Sequence, residues 1–295
     1  MINKTFKAVI ISFLKYSFIV LFIGFIIYEI IFVCRVYFFV SCVIPSESMQ
    51  PTLLRNDYVY VTQRIPGRRI LEYDPNNSQK IIASRKKGKR EIQRNDVLLF
   101  NSPHGEYWDT LFIDNLVHYI KRCIALPGDT FYIDNGIYKI KNKKDILGYY
   151  PYQSQLSSMS DSQFTEVIYN CFPHDSAFNW NIKKFGPLYI PKQGDKIAVG
   201  SKSIKLYKNL IEYETSKNIS IHNDSILLDN SIISDYIFTK NYYFMVGDYL
   251  FDSADSRYWG LLPEDHIIGK VSFIWKSKDK LTGKYRFERF FKKII

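Results

Sequence analysis

The first residue that could do chemistry is Ser48, in the segment Pro45-Ser46-Glu47-Ser48-Met49-Gln50-Pro51-Thr52-Leu53, which follows a strongly apolar N-terminal segment. A serine hydroxyl is a weak nucleophile until a neighbouring base takes its proton, so another part of the chain must supply that base. The five histidines lie outside any Gly-x-Ser-x-Gly or His-Glu-x-x-His pattern. The sequence therefore signals neither the familiar serine triad nor a zinc protease, and a lysine is the next candidate.

Lys121 is the lysine best suited to this role. It lies in the run Tyr119-Ile120-Lys121-Arg122-Cys123-Ile124-Ala125-Leu126, which predicts a strand with an apolar setting for the amine. Burial disfavours the ammonium form and lowers the pKa of a lysine, so that the neutral amine can act as a general base. Within hydrogen-bonding reach of Ser48, Lys121 would form a serine-lysine dyad.

The apolar N-terminal segment predicts a membrane anchor. The run from Tyr16 to Tyr28 has no charge, and a helix needs about 20 residues to cross the hydrocarbon of a bilayer. We therefore predict a transmembrane helix over residues 16–35, with Glu29 near its end. Three lysines precede it, which predicts a cytoplasmic N-terminus over residues 1–15. No small-x-small cleavage site follows, so we expect an uncleaved anchor and not a signal peptide.

Composition sets further limits. The 295 residues leave room for an anchor plus one large domain, and the formal net charge is +11. That charge suits anionic lipid or simply a basic surface, and because no nucleic-acid motif accompanies it we expect no nucleic-acid partner. The four cysteines lack metal-ligand spacing, and we expect neither a metal nor another cofactor. Cys123 and Cys171 are either small buried hydrophobes or a disulfide.

Short β-branched and aromatic runs bounded by turn residues make the fold class mainly β. Residues 36–129 are predicted to form the first part of a catalytic domain and residues 241–275 the second part. Residues 130–240 show strand-like pieces without helical periodicity, which predicts an inserted β-rich subdomain. Residues 276–295 form a basic, aromatic tail that either contacts anionic lipid or ends as a surface strand or frayed segment.

Several segments, in order along the chain, together resemble the conserved boxes of type I signal peptidases. They are Pro45–Leu53, Tyr119–Arg122 with Leu126–Asp129, and Gly247–Asp248 followed by Ser253–Gly260, with a partial match at Asp96–Phe100. The resemblance implies an antiparallel β catalytic domain behind one transmembrane helix. It further implies a serine endopeptidase of the bacterial inner membrane that acts on the periplasmic face. Its partners would be exported preproteins, from which it removes signal peptides after Ala-x-Ala-like ends, and membrane lipid.

The resemblance also implies roles for single residues. Ser48 matches the nucleophile and Lys121 the general base. Ser46 matches the residue whose hydroxyl joins the Ser48 backbone N–H in an oxyanion hole, and Ser253 matches a serine that orients the lysine. Charged residues that support the site match Arg122, Asp248, Asp255 and Arg257. The wall of a shallow pocket for a small substrate residue matches Ile44, Met49, Leu53, Tyr119 and Ile120.

The chain departs from the family at two places. It reads Gly247-Asp248-Tyr249-Leu250-Phe251-Asp252-Ser253 where the family usually has Gly-Asp-Asn-Arg before its final serine box, which puts the bracing of this loop in doubt. Arg94-Asn95-Asp96 replaces Arg-Gly-Asp, a change expected to alter only a turn. The segment Phe185–Asp195 looks like one found in longer Gram-negative members.

Two other functions remain open from the sequence. The changed loop is compatible with a catalytically impaired relative that binds preproteins or membrane partners without cutting them. A self-cleaving repressor-type protease shares the serine-lysine dyad, but the missing helix-turn-helix and the anchor argue against it.

Overall fold

The computed structural model describes residues 4–74, 77–105, 108–223 and 225–294. The chain forms two compact units, residues 1–40 and residues 41–295.

The first unit is a single long helix, α1 (Lys4–Phe38). Its 23-residue segment Ile10–Phe32 has a mean hydropathy of 2.4 and none of it is buried, so by length and composition it could cross a membrane. The helix starts before the predicted span of residues 16–35 and ends after it. The prediction that the catalytic domain begins at residue 36 is wrong by a few residues, because residues 36–38 continue this helix.

The second unit is built on one large antiparallel sheet, which confirms the predicted fold class. Its strands are β1 (Phe39–Val43), β2 (Asp57–Thr62), β5 (Val97–Ser102), β6 (Asp114–Ala125), β15 (Tyr242–Val246), β16 (Leu262–Pro263), β17 (Ile267–Ser277) and β18 (Lys292–Lys293). They are ordered β1-β2-β17-β5-β6-β15-β16, with β18 added beside β17. A separate hairpin joins β3 (Arg69–Asp74) to β4 (Asn77–Arg85).

Strand β6 carries the predicted base, and its two edges differ. Along one edge it pairs with β5 as far as Arg122, with Lys121 opposite Leu98. Along the other edge β15 pairs only with the stretch from Arg122 to Ala125. Among the described residues, no strand therefore pairs with Tyr119 and Lys121 on that second edge.

The inserted segment contains both strands and helices. The strands are β7 (Thr130–Asp134), β8 (Ile137–Ile140), β9 (Lys184–Tyr189), β10 (Lys196–Ala198), β11 (Ile219–His222), β12 (Ser225–Leu228), β13 (Ser231–Ile232) and β14 (Asp235–Ile237). The helices are α2 (Tyr150–Ser158), α3 (Glu166–Tyr169) and α4 (Ser201–Thr215). The expectation that residues 130–240 lack helical periodicity is wrong at α4, which buries Ile204, Tyr207, Leu210 and Ile211 on one face.

One hydrophobic core runs from the large sheet into the inserted segment. The ring of Phe244 on β15 lies 4.3 Å from that of Phe131 on β7 and 5.5 Å from that of Phe185 on β9. All three side chains are buried and belong to a single cluster. The inserted segment thus packs directly on the strand that leads into the Gly247 loop.

The basic tail folds back onto the sheet. Arg289, which the sequence left unassigned, is buried and its guanidinium pairs with the fully buried carboxylate of Asp57 at 2.5 Å. The same carboxylate accepts a hydrogen bond of 2.6 Å from the hydroxyl of Ser277. Lys292 pairs with Ile274 in β18 and β17. The tail was predicted to contact lipid, form a surface strand or fray, and its residues Lys292–Lys293 form a short surface strand.

Cys123 and Cys171 are both free thiols. They are buried in different hydrophobic clusters, Cys123 beside Met245 and Cys171 in the core shared with the inserted segment. The structure therefore contains no bridge between them, and they are the small buried hydrophobes of the first alternative.

Candidate active site

Ser48 and Lys121 meet in the interior of the second unit. Ser48 lies in the turn between β1 and β2, and Lys121 lies in the middle of β6. The Nζ of Lys121 is 2.6 Å from the Oγ of Ser48. Both residues are more than nine-tenths buried. A hydrogen bond at this distance allows a proton to pass directly between hydroxyl and amine.

Burial changes the acidity of the lysine. Loss of water around the ammonium lowers the pKa of Lys121 from 10.5 to about 8, with the carboxylate of Asp255 partly opposing this effect and the guanidinium of Arg257 adding to it. The amine also lies 5.9 Å from the centre of the Tyr119 ring. A substantial fraction of Lys121 is thus neutral at mildly alkaline pH.

Two donors lie beside the serine. The hydroxyl of Ser46 is 3.3 Å from that of Ser48, and Ser46 is exposed. Within the described part of the chain, the backbone N–H of Ser48 donates no hydrogen bond. Both groups could therefore donate to an oxygen held next to Ser48.

Asp248 connects three of the segments that resemble the family boxes. The guanidinium of Arg122 donates to both of its carboxylate oxygens at 2.7 Å. The hydroxyl of Thr52 donates to the same carboxylate, and Arg122 also donates to the Asn95 carbonyl at 2.7 Å. Thr52 was not among the predicted site residues, although it lies in the first of these segments. Its role depends on the distant Asp248, which local sequence does not show.

Asp255 and Arg257 form a fully buried ion pair. The guanidinium donates two hydrogen bonds of 2.8 Å to the carboxylate and one of 3.0 Å to the carbonyl of Leu250. The carboxylate accepts the backbone N–H of Gly247 at 3.0 Å. Burial by itself would raise the pKa of Asp255, but Arg257 holds it below its usual range. This ion pair therefore holds the loop backbone at two points, Gly247 and Leu250.

Gly247 allows the chain to pass close to the nucleophile. A Cβ at this position would lie 2.2 Å from the Oγ of Ser253 and 2.5 Å from the carbonyl oxygen of Ser48. Ser253 and the backbone of Ser48 therefore lie on the same side of Gly247. The requirement for glycine here was missed, because a sequence shows the residue but not what approaches it.

Ser253 is buried, and among the described residues its hydroxyl has no hydrogen-bond partner. The hydrogen bond to Lys121 that the resemblance implied is thus not formed in this structure. The close approach to Gly247 nevertheless brings Ser253 near the backbone of Ser48.

The unusual loop after Asp248 is held in place without the family's asparagine and arginine. The backbone N–H of Tyr249 donates to the carbonyl of Ser48 at 3.0 Å. Leu250 is 2% exposed and packs in the shared core. The rings of Tyr249 and Phe251 contact the ring of Tyr152 from helix α2. The inserted segment supplies part of this support.

The other family departure is a turn in which asparagine stands for glycine. Asn95 has a φ of +68°, a left-handed conformation that asparagine tolerates better than most residues. Its side-chain carbonyl accepts the N–H of Gly148 at 2.8 Å. The expected effect, a local change of turn, fits this geometry.

The expected pocket residues differ in exposure. Ile44, Met49 and Leu53 are buried, whereas Tyr119 and Ile120 are half-buried. In the described ranges, no group of three or more His, Cys, Asp or Glu side chains could hold a metal ion.

An antiparallel β domain that places a buried serine beside a buried lysine, after an apolar helix, has the arrangement of a membrane-anchored serine peptidase. Comparison with known proteins identifies the family. The model for "Signal peptidase, peptidase S26" matches residues 16–276, so the chain belongs to the S26 signal peptidase family.

Individual relatives agree with this assignment. Signal peptidase I of Buchnera aphidicola subsp. Schizaphis graminum is 30% identical over 274 residues, which cover 87% of this chain and 74% of that protein. Signal peptidase I of Haemophilus influenzae is 27% identical over 283 residues, covering 89% and 71%. Signal peptidase I of Rickettsia typhi is 24% identical over 281 residues, covering 93% and 83%. The resemblance drawn from the sequence is confirmed, and it favours a signal peptidase over a self-cleaving repressor-type protease.

Proposed function

We propose that this protein is a membrane-anchored signal peptidase that cleaves exported preproteins after small-x-small ends with a Ser48/Lys121 dyad. The observation that carries the proposal is the 2.6 Å contact between Lys121 Nζ and Ser48 Oγ. This contact lies in a buried setting that lowers the pKa of the lysine to about 8. The membership of the S26 family supports the choice of substrate.

The proposed reaction begins with neutral Lys121. The Ser48 hydroxyl donates its proton to the amine as its oxygen attacks the scissile carbonyl carbon, which gives a tetrahedral intermediate. The ammonium then protonates the leaving amine, and the released chain is the mature protein. Neutral Lys121 next takes a proton from a water molecule as the water oxygen attacks the acyl ester on Ser48. The resulting ammonium returns this proton to the Ser48 oxygen as the ester bond breaks, which frees the signal peptide and restores the dyad.

We assign the oxyanion hole to the Ser48 N–H and the Ser46 hydroxyl. Both could donate next to the reacting oxygen, and donors of this kind stabilise the charge that develops on the carbonyl oxygen. We assign Ser253 to orientation of the lysine, supported by its place beside Gly247 and by its hydroxyl, which lacks a partner among the described residues. Arg122, Asp248, Asp255 and Arg257 hold the site and exchange no proton.

The substrate would bind in extended form along β6. The edge of β6 next to Tyr119 and Lys121 has backbone groups that no described strand pairs with, and an added strand is a common way for a sheet to bind a peptide. In this arrangement Tyr119 and Ile120 contact the substrate directly. Ile44, Met49 and Leu53 form the deeper wall that limits the pocket to a small residue.

We propose that the N-terminus is cytoplasmic and that residues 41–295 act on the outer face of the inner membrane. Lysines before the apolar helix support this orientation. Lipid contact by the tail is supported by exposed Leu281, Phe287 and Phe291 close to the exposed Lys292 and Lys293. Apolar rings beside lysines suit an anionic bilayer surface. We further propose residues 41–129 and 241–275 as the two parts of the catalytic domain, with 130–240 inserted between them and 276–295 as the tail; the first part starts at residue 41 and not at 36 because residues up to 40 belong to the first unit.

The test is cleavage of a preprotein with an Ala-x-Ala end by the full chain in detergent. Wild type should cut once, after that end, whereas Ser48→Ala and Lys121→Ala should not cut above background. A preprotein with phenylalanine in place of the final alanine is the matched control and should stay intact. Equal cleavage by wild type and Ser48→Ala would overturn the proposal.

A further inference from the structure

The loop from Tyr249 to Asp252 is tied directly to the nucleophile. The Tyr249 N–H donates to the Ser48 carbonyl at 3.0 Å, and the Asp252 N–H donates to the Tyr249 carbonyl at 3.2 Å. A movement of this loop would therefore move the backbone that carries the Ser48 hydroxyl.

Alternate residues of the loop face different supports. Leu250 is buried in the core, and its carbonyl accepts from Arg257 at 3.0 Å. The rings of Tyr249 and Phe251, 5.9 Å apart, both contact Tyr152 of helix α2. The loop is thus clamped between the core and one aromatic side chain of the inserted segment.

The geometry of these ring contacts is favourable. Tyr152 meets Tyr249 at 5.3 Å with an interplanar angle of 69°, and it meets Phe251 at 5.9 Å with an angle of 73°. Edge-to-face pairs at such distances are stabilising beyond the area that they bury. The ring of Tyr149 lies 5.0 Å from that of Tyr152 and forms a third aromatic contact with it.

We infer that Tyr152 is a positioning residue for Ser48, acting through the Tyr249–Phe251 loop, and that this is a catalytic contribution of the inserted segment. The inference rests on the proposed function. Without the Tyr152 ring, the loop loses one of its two supports and the Ser48 carbonyl loses a fixed partner. The nucleophile then spends less time in the attacking geometry, while the strand edge that would bind substrate stays unchanged.

The experiment compares kcat and KM of Tyr152→Ala with those of wild type on the same preprotein. We expect kcat to fall roughly tenfold, because two aromatic pairs that hold the loop are lost, with KM changed by less than about twofold. Tyr152→Phe should restore kcat, because within the described residues the Tyr152 hydroxyl makes no hydrogen bond. The matched control is Tyr150→Ala on the same helix, whose side chain is 50% exposed and which should cut like wild type.

The outcomes separate this inference from the proposed function. If wild type does not cut, the proposed function fails. If wild type cuts and Tyr152→Ala matches Tyr150→Ala, or if only KM changes, the positioning role is overturned. If Tyr152→Ala does not fold, Tyr152→Leu replaces it, because leucine retains apolar bulk but has no ring. Its kcat should also fall, and a kcat equal to that of Tyr150→Ala would overturn the positioning role.

Discussion

Lys121 Nζ and Ser48 Oγ lie 2.6 Å apart, yet the two residues come from a turn and a strand that are far apart in sequence. Burial is what makes this pair chemically useful, because it lowers the pKa of the lysine to about 8. The same burial destabilises the folded state whenever Lys121 is charged. Both the change in activity and the change in stability can be measured.

The first prediction concerns the pH dependence of cleavage. Because only neutral Lys121 can accept the serine proton, kcat/KM should rise about tenfold per pH unit on the acid side and level off near the pKa of about 8. Initial rates with a preprotein from pH 5 to 10 would check this. A flat profile over that range would contradict a lysine base.

The second prediction concerns stability without Lys121. In the folded state the pKa of Lys121 is lowered from 10.5 to about 8, so below pH 8 the buried charge destabilises the fold. Wild-type stability should therefore rise as the pH goes from about 8 to about 10.5. Lys121→Met should be inactive but raise the free energy of unfolding at pH 7 by about 3 kcal/mol, a gain that vanishes near pH 10.5.

Denaturant unfolding at pH 7 and pH 10.5 measures this effect. The matched control is Lys139→Met, whose side chain is 42% exposed and pairs with Asp134. It should give no gain. A Lys121→Met protein that is less stable than wild type at pH 7 would show that the amine stabilises the fold.

The third prediction concerns Ser46. If its hydroxyl stabilises the oxyanion, Ser46→Ala should lower kcat by about 10²- to 10³-fold, as removal of one such donor does in other serine proteases. Ser46→Thr, which retains the hydroxyl, should retain most activity. Glu47→Ala, a change at the exposed neighbouring position, is the control. Equal kcat for Ser46→Ala and Glu47→Ala would remove Ser46 from the oxyanion hole.

The fourth prediction concerns Gly247. A methyl group at this position meets Ser253 Oγ at 2.2 Å and the Ser48 carbonyl oxygen at 2.5 Å. Both contacts are far inside normal packing distances, so Gly247→Ala should push the nucleophile out of position and abolish most cleavage. Gly200→Ala, with nothing within 4 Å of the added carbon, should behave like wild type. Full activity of Gly247→Ala would mean that the loop can move without affecting Ser48.

The fifth prediction concerns the buried ion pair of Asp255 and Arg257. Asp255→Asn leaves a fully buried guanidinium without its counter-charge, which should destabilise the protein by about 3–5 kcal/mol. Asp235→Asn breaks the exposed pair with Lys196 and should cost about 1 kcal/mol or less. Thermal unfolding of both variants gives the comparison. Similar melting temperatures would show that Gly247 and Leu250 are held by other contacts.

The sequence predicted the part of the site that depends on chemically distinctive residues. Ser48 and Lys121 could be paired before the fold was known, because a serine nucleophile needs a base and few lysines lie in apolar strand segments. The mainly β class followed from strand-like runs in the same way. Helix α4 also had a readable signal, since Ile204, Tyr207 and Ile211 recur at helical spacing, but many short strand-like pieces around it obscured the pattern.

Other features could not be read from local sequence because they depend on distant partners. Nothing in the run Tyr249-Leu250-Phe251 shows that Tyr152 will lie against it. Likewise Arg289 looked like one more charge in a basic tail, whereas in the fold it neutralises the buried Asp57. Side chains of common type gain such roles only through tertiary contacts.

The distance in sequence between Asp57 and Arg289 bears on when the second unit can finish folding. Asp57 is made early in synthesis, soon after Ser48, but its buried carboxylate acquires its charged partner only when Arg289 has emerged. Gly247, Asp255 and Arg257, to which we assign support of the site, also follow more than 100 residues after Lys121. A growing chain would thus carry the serine and the lysine before these later residues exist. The proposed active site would be complete only after nearly all of the second unit had been synthesised.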